Sequence, residues 1–366
     1  MFNKLTSLNN TIKTISQNLF IDPNRCLNFI SKYKPCSICT QNCQNNAINI
    51  DKDNKLIEID DSKCSECGVC VTKCPTKTFD FKFYRYYKLI SKINEFIVNN
   101  KDLIFICKQF YEKNNSLIPH NNLTYLIEIP CTSIIDFTIL IHIANNTNKP
   151  VTILCDCKNC INSVGNKIFL DNKELAYNFI KNFKDVKLSV EIINDTDYIK
   201  NIIGNNNKAK KEIPYLSRRE LFGYFRKESI NSAKDLLTLF ISKKELKENR
   251  KILHSKYIPL NRVLLIKNLK AMKLNSKNAI FDTANSIELT SIEIDFNKCS
   301  LCRLCYIFCP TGALSEKTIR DEDGKLKKVG INVAINKCIK CGFCIFICPN
   351  KAISYNNKLM LDELIN

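Results

Sequence analysis

The stretch Cys299-Ser-Leu-Cys302-Arg-Leu-Cys305-Tyr-Ile-Phe-Cys309-Pro310 places four cysteines in eleven residues and closes on a proline. It returns at Cys338-Ile-Lys-Cys341-Gly-Phe-Cys344-Ile-Phe-Ile-Cys348-Pro349. On so tight a loop, three thiolates can each reach a different metal atom of one cluster. The fourth ligand of that cluster comes from elsewhere, and the proline preorganises the turn that follows the last cysteine. Nearer the start, Cys64-Ser-Glu-Cys67-Gly-Val-Cys70-Val-Thr-Lys-Cys74-Pro75 is a third complete copy. A fourth copy departs from the plan. Cys36, Cys39 and Cys43 have the spacing of second, third and fourth cysteines, the first is missing at its expected place, and Gln44 replaces the proline. Cys26, ten residues upstream of Cys36, can supply the missing thiolate from a longer loop.

Runs of this spacing ending in Cys-Pro suit [4Fe–4S] ligation. Paired zinc sites also use C-x2-C, and are the alternative. The doubled pattern resembles the bacterial two-cluster ferredoxin. Crossed ligation, as that resemblance implies, groups Cys299, Cys302, Cys305 and Cys348 around one cluster and Cys338, Cys341, Cys344 and Cys309 around another. In the first module it groups Cys26, Cys36, Cys39 and Cys74, then Cys64, Cys67, Cys70 and Cys43. Should Cys26 point elsewhere, the first site suits a [3Fe–4S] cluster or a non-cysteine ligand. Four [4Fe–4S] clusters need sixteen thiolates, the number these two zones hold. Residues 47–50 and 56–59 alternate around a polar turn and read as a short hairpin. The matching connection near Asp321-Glu322-Asp323-Gly324 is longer and charged.

Five more cysteines stand between the modules. Apolar, β-rich runs at 103–107, 124–129, 151–155 and 186–193 alternate with helical patterns at 134–144 and 173–183, after a helix at 86–98. That alternation predicts a parallel α/β sheet. Cys107 ends the first run, Cys131 follows the second across Pro130, and Cys155 ends the third. Ligands of open parallel sheets bind beyond the carboxyl ends of the strands, so these cysteines are expected on one edge, with Cys157 and Cys160 on the loop that leaves it. The segment resembles the delta-subunit domain of methyl-viologen-reducing hydrogenase, also found fused to some heterodisulfide reductase subunits. The resemblance lies in Cys107, Pro130-Cys131, and Cys155-Asp-Cys-Lys-Asn-Cys160 leading to Gly165-Asn166. It implies a [2Fe–2S] cluster held by Cys107, Cys131, Cys155 and Cys160, with Cys157 as a fifth candidate, and electron exchange between hydrogenase and reductase partners. It fails where the family has a second cysteine just after the first, since Lys108, Gln109 and Phe110 follow Cys107. A structural zinc, a redox-active thiol pair and plain buried core cysteines are the other readings.

The 366 residues include 21 cysteines but only 8 glycines, none two positions from another. Dinucleotide loops of the G-x-G-x-x-G type and phosphate loops ending in G-K-[ST] are therefore excluded. The charge of +19 comes mostly from lysine. Without a basic run or an aromatic ladder, it suggests acidic-surfaced redox protein partners rather than nucleic acid. No apolar stretch reaches the ~20 residues of a membrane span. Ser217–Phe222 has the look of a twin-arginine export signal, but far from the start and with no apolar stretch after it, so it reads as a helix beginning. Abundant cysteine in a chain read as cytoplasmic argues for metal or redox chemistry over structural disulfides. The expected fold class is α+β, with two 2[4Fe–4S] ferredoxin-like modules (25–84 and 291–366) flanking an α/β domain (85–204) and a helical connector (205–290). An amphipathic helix through Leu5, Leu8, Ile12, Ile15 and Leu19 precedes them, in residues 1–24. The function expected is electron relay, as a polyferredoxin-type subunit or adaptor of an oxidoreductase such as a hydrogenase, formate dehydrogenase or reductase. The alternatives are a catalytic middle site and a non-catalytic iron–sulfur interaction module.

Overall fold

The Leu103–Cys107 and Val151–Leu154 strands are buried at every position, as strands covered on both faces must be. They form the centre of a four-stranded parallel sheet in the order Ile127–Ile129, Leu103–Cys107, Val151–Leu154, Val190–Ile193. The computed structural model describes residues 18–30, 36–114, 116, 126–195, 197–198, 256–275, 279–284, 286, 288–320 and 326–365. Most of the helical connector expected at 205–290, and most of the helix expected at 1–24, lie outside them.

Helices Tyr86–Val98, Phe137–Asn146 and Ser163–Ile180 accompany the sheet, and Leu260–Ala271 packs on Phe137–Asn146. That last helix falls in the expected connector, yet it buries Leu264, Leu265 and Leu269 in the same core as the sheet. His142, buried on Phe137–Asn146, faces Asn268 Oδ1 at 3.2 Å and Asn94 Oδ1 at 2.7 Å, which ties three helices together. Its role is structural.

Asp136 caps Phe137–Asn146. One carboxylate oxygen accepts the Ile139 N–H at 2.9 Å and the Tyr86 hydroxyl at 3.1 Å. Burial, then Glu288, pushes this carboxyl up to about 7, against the pull of Lys77 and those hydrogen bonds. The folded state thus holds a proton that the unfolded chain releases nearer 3.8. Its stabilising contribution is full below the unfolded value and is lost as pH rises through about 7. Asn can also cap, so Asp136→Asn should flatten the fall of melting temperature between about pH 4 and about pH 7. The variant should be the more stable protein at the upper end. Parallel melting curves for the two proteins would refute this.

The two cysteine-rich modules share one plan. In the first, Leu19–Ile21 pairs antiparallel with Phe79–Phe81, and Ile48–Asp51 with Leu56–Ile59. In the second, Ser291–Ile294 pairs with Ile353–Asn356, and Leu314–Arg320 with Leu326–Val333. Leu19 thus leaves the expected helix for a strand, because Leu19 and Ile21 both point into the core opposite Phe81 and Phe79. The first module shares a continuous core with the sheet domain, whereas the second also has a small core of its own around Cys305, Leu314, Ile331, Cys344 and Ile353.

Candidate functional site

Each cysteine run ends in the same turn. The residue three places beyond its last cysteine is left-handed: Asn46 (φ 50°), Lys77 (50°), Gly312 (70°) and Lys351 (50°). That turn folds the next N–H back onto sulfur, so that Ala47, Thr78 and Ala352 donate to Cys43, Cys74 and Cys348 Sγ at 3.3 Å each. The three complete runs have two further left-handed residues at matching places: Glu66 and Gly68, Leu301 and Arg303, Lys340 and Gly342. Non-glycine residues in this region are strained, and strain repeated at equivalent positions marks a functional constraint. In the Cys36 run the described matching residue, Ser37, is not left-handed (φ −122°) and precedes the short helix Ile38–Gln41.

These turns gather the thiols in fours. Burial pushes the Cys26 thiol up to about 11, with neighbouring Cys74 and Cys36 adding to it. Burial pushes Cys39 up to about 12, and Cys74, Cys26 and Cys36 add to that. Cys43, Cys64, Cys67 and Cys70 line one cavity. In the second module, burial and then Cys299, Cys302 and Cys348 raise Cys305 to about 11. Cys344 is raised by burial and then by Cys341, Cys338, Cys309 and Cys305. Crossed ligation, as expected from the resemblance, would draw on these neighbouring cysteines.

Cys26 reaches its set by a device the sequence did not reveal. A one-turn 3-10 helix, Pro23–Arg25, delivers it. Asn28, buried, then clamps the loop: its amide donates to Cys36 O at 2.8 Å and accepts the Cys36 N–H at 2.8 Å. The same side chain lies 3.9 Å from Cys26 Sγ. A buried asparagine two residues after an unpaired cysteine is the only sequence signal.

The middle cysteines do collect at the carboxyl edge of the sheet, but not as four thiolates. Cys107, Cys131 and Cys160 are mutual neighbours, and burial pushes Cys107 up to about 11. Cys155 is instead bonded to Cys157 in a disulfide. The expected set of Cys107, Cys131, Cys155 and Cys160 is therefore split, because the sulfur of Cys155 is engaged by a cysteine on its own loop. The Cys160 thiol donates to Gln109 Oε1 at 3.2 Å, one of the three residues standing where the resembled family has its second cysteine.

The groups also lie close enough to influence one another's charge. Cys70 feels Cys39, and Cys344 feels Cys305, across the two modules' internal boundaries. Cys74 and Pro75 share a narrow cavity with Arg262, Glu288 and Ile339, next to Cys338. Thr76 shares a groove with Cys309 and Tyr257. On the other side Cys67 neighbours Cys131. Gly165 makes that junction possible, since a β-carbon there would lie 2.8 Å from Cys131 Sγ and 3.4 Å from Cys67 O. Gly165→Ala should destabilise the protein by about 1–3 kcal/mol through overpacking. An unchanged denaturation midpoint would contradict this close approach.

Four ionised thiols so close would repel, and the positive core of an iron–sulfur cluster relieves that repulsion. Among the described residues, no three Cys, His, Asp or Glu side chains converge tightly enough to hold a single metal ion. Thiols that share one zinc crowd around it, while thiols that each take a separate iron stand farther apart. Among the described residues no helix is long and apolar enough to cross a membrane.

Residues 34–78 and residues 291–349 each match a 4Fe-4S dicluster domain. The first match begins after Cys26 and so leaves out the cysteine on the longer loop. No curated protein matches the chain. It carries two 4Fe-4S dicluster ferredoxin domains, one N-terminal and one C-terminal, which hold at least two [4Fe–4S] clusters in an iron–sulfur electron-transfer role.

Proposed function

We propose that the chain is an electron-relay subunit with four [4Fe–4S] clusters in a single path. From the second module inward, the order is Cys299/Cys302/Cys305/Cys348, Cys309/Cys338/Cys341/Cys344, Cys26/Cys36/Cys39/Cys74, then Cys43/Cys64/Cys67/Cys70. The path ends at the cysteines of the sheet domain. The observation that carries this reading is the succession of neighbouring thiol sets: Cys305 by Cys344, Cys309 and Cys338 beside the Thr76 and Cys74 walls, Cys39 by Cys70, Cys67 by Cys131. Redox centres in contact order let single electrons cross a protein that no single transfer could span. N–H···S bonds and burial then tune each step.

Cys302 is the exposed thiol at the outer end, with Phe296, Ile307 and Phe346 exposed in the same module. We assign that end to docking of a redox protein partner, with the net charge of +19 favouring an acidic one. A hydrogenase, formate dehydrogenase or reductase is the class of enzyme such a subunit serves. The test is iron and acid-labile sulfide analysis of the anaerobically purified protein, with EPR of the reduced state. About sixteen irons per chain with interacting S = 1/2 signals are expected from four cubanes. About eight irons, or clusters that no physiological reductant reduces, would sink the relay.

A further inference from the structure

We propose that Cys155 and Cys157 form a redox couple, cycling between disulfide and dithiol, at the inner end of the relay. The couple rests on the relay reading for its electron source, but its chemistry can be measured without it.

Position comes first. Leu154 pairs in register with Ile106, so Cys155 and Cys107 stand side by side one residue further on, at the carboxyl edge of neighbouring strands. Cys131 follows the third strand of that edge. The loop carrying Cys157 and Cys160 is laid directly on the cluster-binding loop of the first module. Gln44 Nε2 donates to Ile161 O at 2.7 Å, and Asn162 Nδ2 donates to Ser65 O at 3.3 Å. Ser133 Oγ donates to Cys67 O. The disulfide thus sits in a part of the sheet domain that is fastened to the loops carrying Cys43, Cys64 and Cys67.

A structural purpose does not account for the bond. A disulfide stabilises chiefly by restricting the unfolded chain, and the gain shrinks with the loop it closes. Here the partners are separated by only two positions, next to a strand already held by ladders on both sides. Exposure assigns the roles. Cys155 is 2% exposed, whereas Cys157 is only partly buried. Cys157 is therefore the sulfur that an external thiol or disulfide can reach, and Cys155 the one that re-forms the bond.

The step balances with two electrons and two protons. The S–S bond breaks as two single electrons arrive from the reduced cluster of the first module. The two sulfurs take up two protons from water, leaving two thiols. In the outward direction the Cys157 thiolate attacks an external disulfide. Cys155 then displaces the mixed disulfide, and the external substrate leaves as two thiols while the Cys155–Cys157 bond returns.

The test is thiol trapping on the full anaerobic protein. Samples poised at a series of potentials are alkylated, digested and weighed by mass spectrometry for the peptide holding Cys155, Cys157 and Cys160. Cys155 and Cys157 should change from bonded to doubly alkylated together, with a two-electron slope of tenfold per ~30 mV. Dithiothreitol should reduce the pair in both cluster-loaded and chelator-stripped protein, while a one-electron viologen donor should reduce it only in the loaded form. Cys157→Ser should abolish the transition and leave the iron content unchanged. Two irons beyond those of the outer modules, lost in Cys155→Ser, would overturn the proposal in favour of a [2Fe–2S] site. Free alkylation of both cysteines at every potential would overturn it as well. If the anaerobically purified protein held no iron before any chelator was added and the pair still titrated, the couple would stand and the relay would fall instead.

Discussion

On the proposed four-cluster relay, Cys74→Ala is expected to remove one cluster and to cut the path between the two modules. Iron should fall from about sixteen to about twelve per chain, one cubane's worth. Cys74 belongs by sequence to the Cys64 run, but its sulfur stands with Cys26 and Cys39. It is 8% exposed, and Thr78 N–H and the Thr76 hydroxyl lie at 3.3 and 3.4 Å from its sulfur. Such a buried ligand has no nearby substitute. Cys74 and Pro75 also form the wall facing Arg262 and Ile339, so the lost cluster is the one between the modules. Rapid-freeze EPR should show an injected electron redistributing between modules more than tenfold more slowly, a barrier raised by ~1.4 kcal/mol or more. Cys302→Ala is the control. It removes a cluster from the exposed end and should leave exchange among the other three intact. Equal slowing in both variants would mean that the order of centres is wrong.

The thiol sets were legible because ligand spacing is local. Four atoms that must surround one small cage leave their period in the chain, and residues 34–78 and 291–349, where that period recurs, are the two stretches that match a dicluster domain. The sheet was legible for a similar reason, through apolar runs such as 103–107 and 151–155. Helix limits were less so. Ser163–Ile180 begins ten residues ahead of the expected 173–183 helix, because Gly165 reads as a loop residue when only Cys131 and Cys67 explain it. Leu19 continued a helical stripe on paper, yet its partner Phe81 lies 62 positions away and turns it into a strand. Asn28 and Arg262 act through backbone carbonyls that only the fold brings near, so no spacing could announce them. The disulfide was hidden by a different degeneracy. Five cysteines on one edge allow a metal site or a thiol pair, and the choice depends on which sulfurs face each other.

Arg262 governs the same junction from the other side, and its removal should lower both stability and a reduction potential. The guanidinium is 3% exposed and donates to Ile335 O at 2.6 Å, Asn336 O at 2.9 Å and Glu288 O at 3.1 Å. Burial pulls its pKa down, with Cys338 and Glu288 holding it up, and arginine remains a cation under such conditions. Hydrogen bonds from a charged donor contribute about 1.5–3 kcal/mol each, and a carbonyl left unpaired in the interior costs more than the bond was worth. Arg262→Gln, able to satisfy one or two of the three, should lose about 3–5 kcal/mol. The electrical effect is separate. Reducing a cluster adds negative charge beside Cys338, which a neighbouring cation favours. At about 10 Å and an effective dielectric of about 20, one unit charge contributes on the order of 1–2 kcal/mol. Loss of that charge should lower the one-electron potential of the Cys309/Cys338/Cys341/Cys344 centre by several tens of millivolts, at ~59 mV per tenfold. Arg262→Lys restores the charge without the fork of hydrogen bonds, so it should recover the potential but not the stability. Lys340, whose ammonium is already held by Thr283 O at 2.9 Å and Ser286 O at 2.6 Å, supplies a second cation there and limits the drop. If EPR-monitored titration found the same potentials in wild type, Arg262→Gln and Arg262→Lys, the guanidinium would be a purely mechanical tie between the modules.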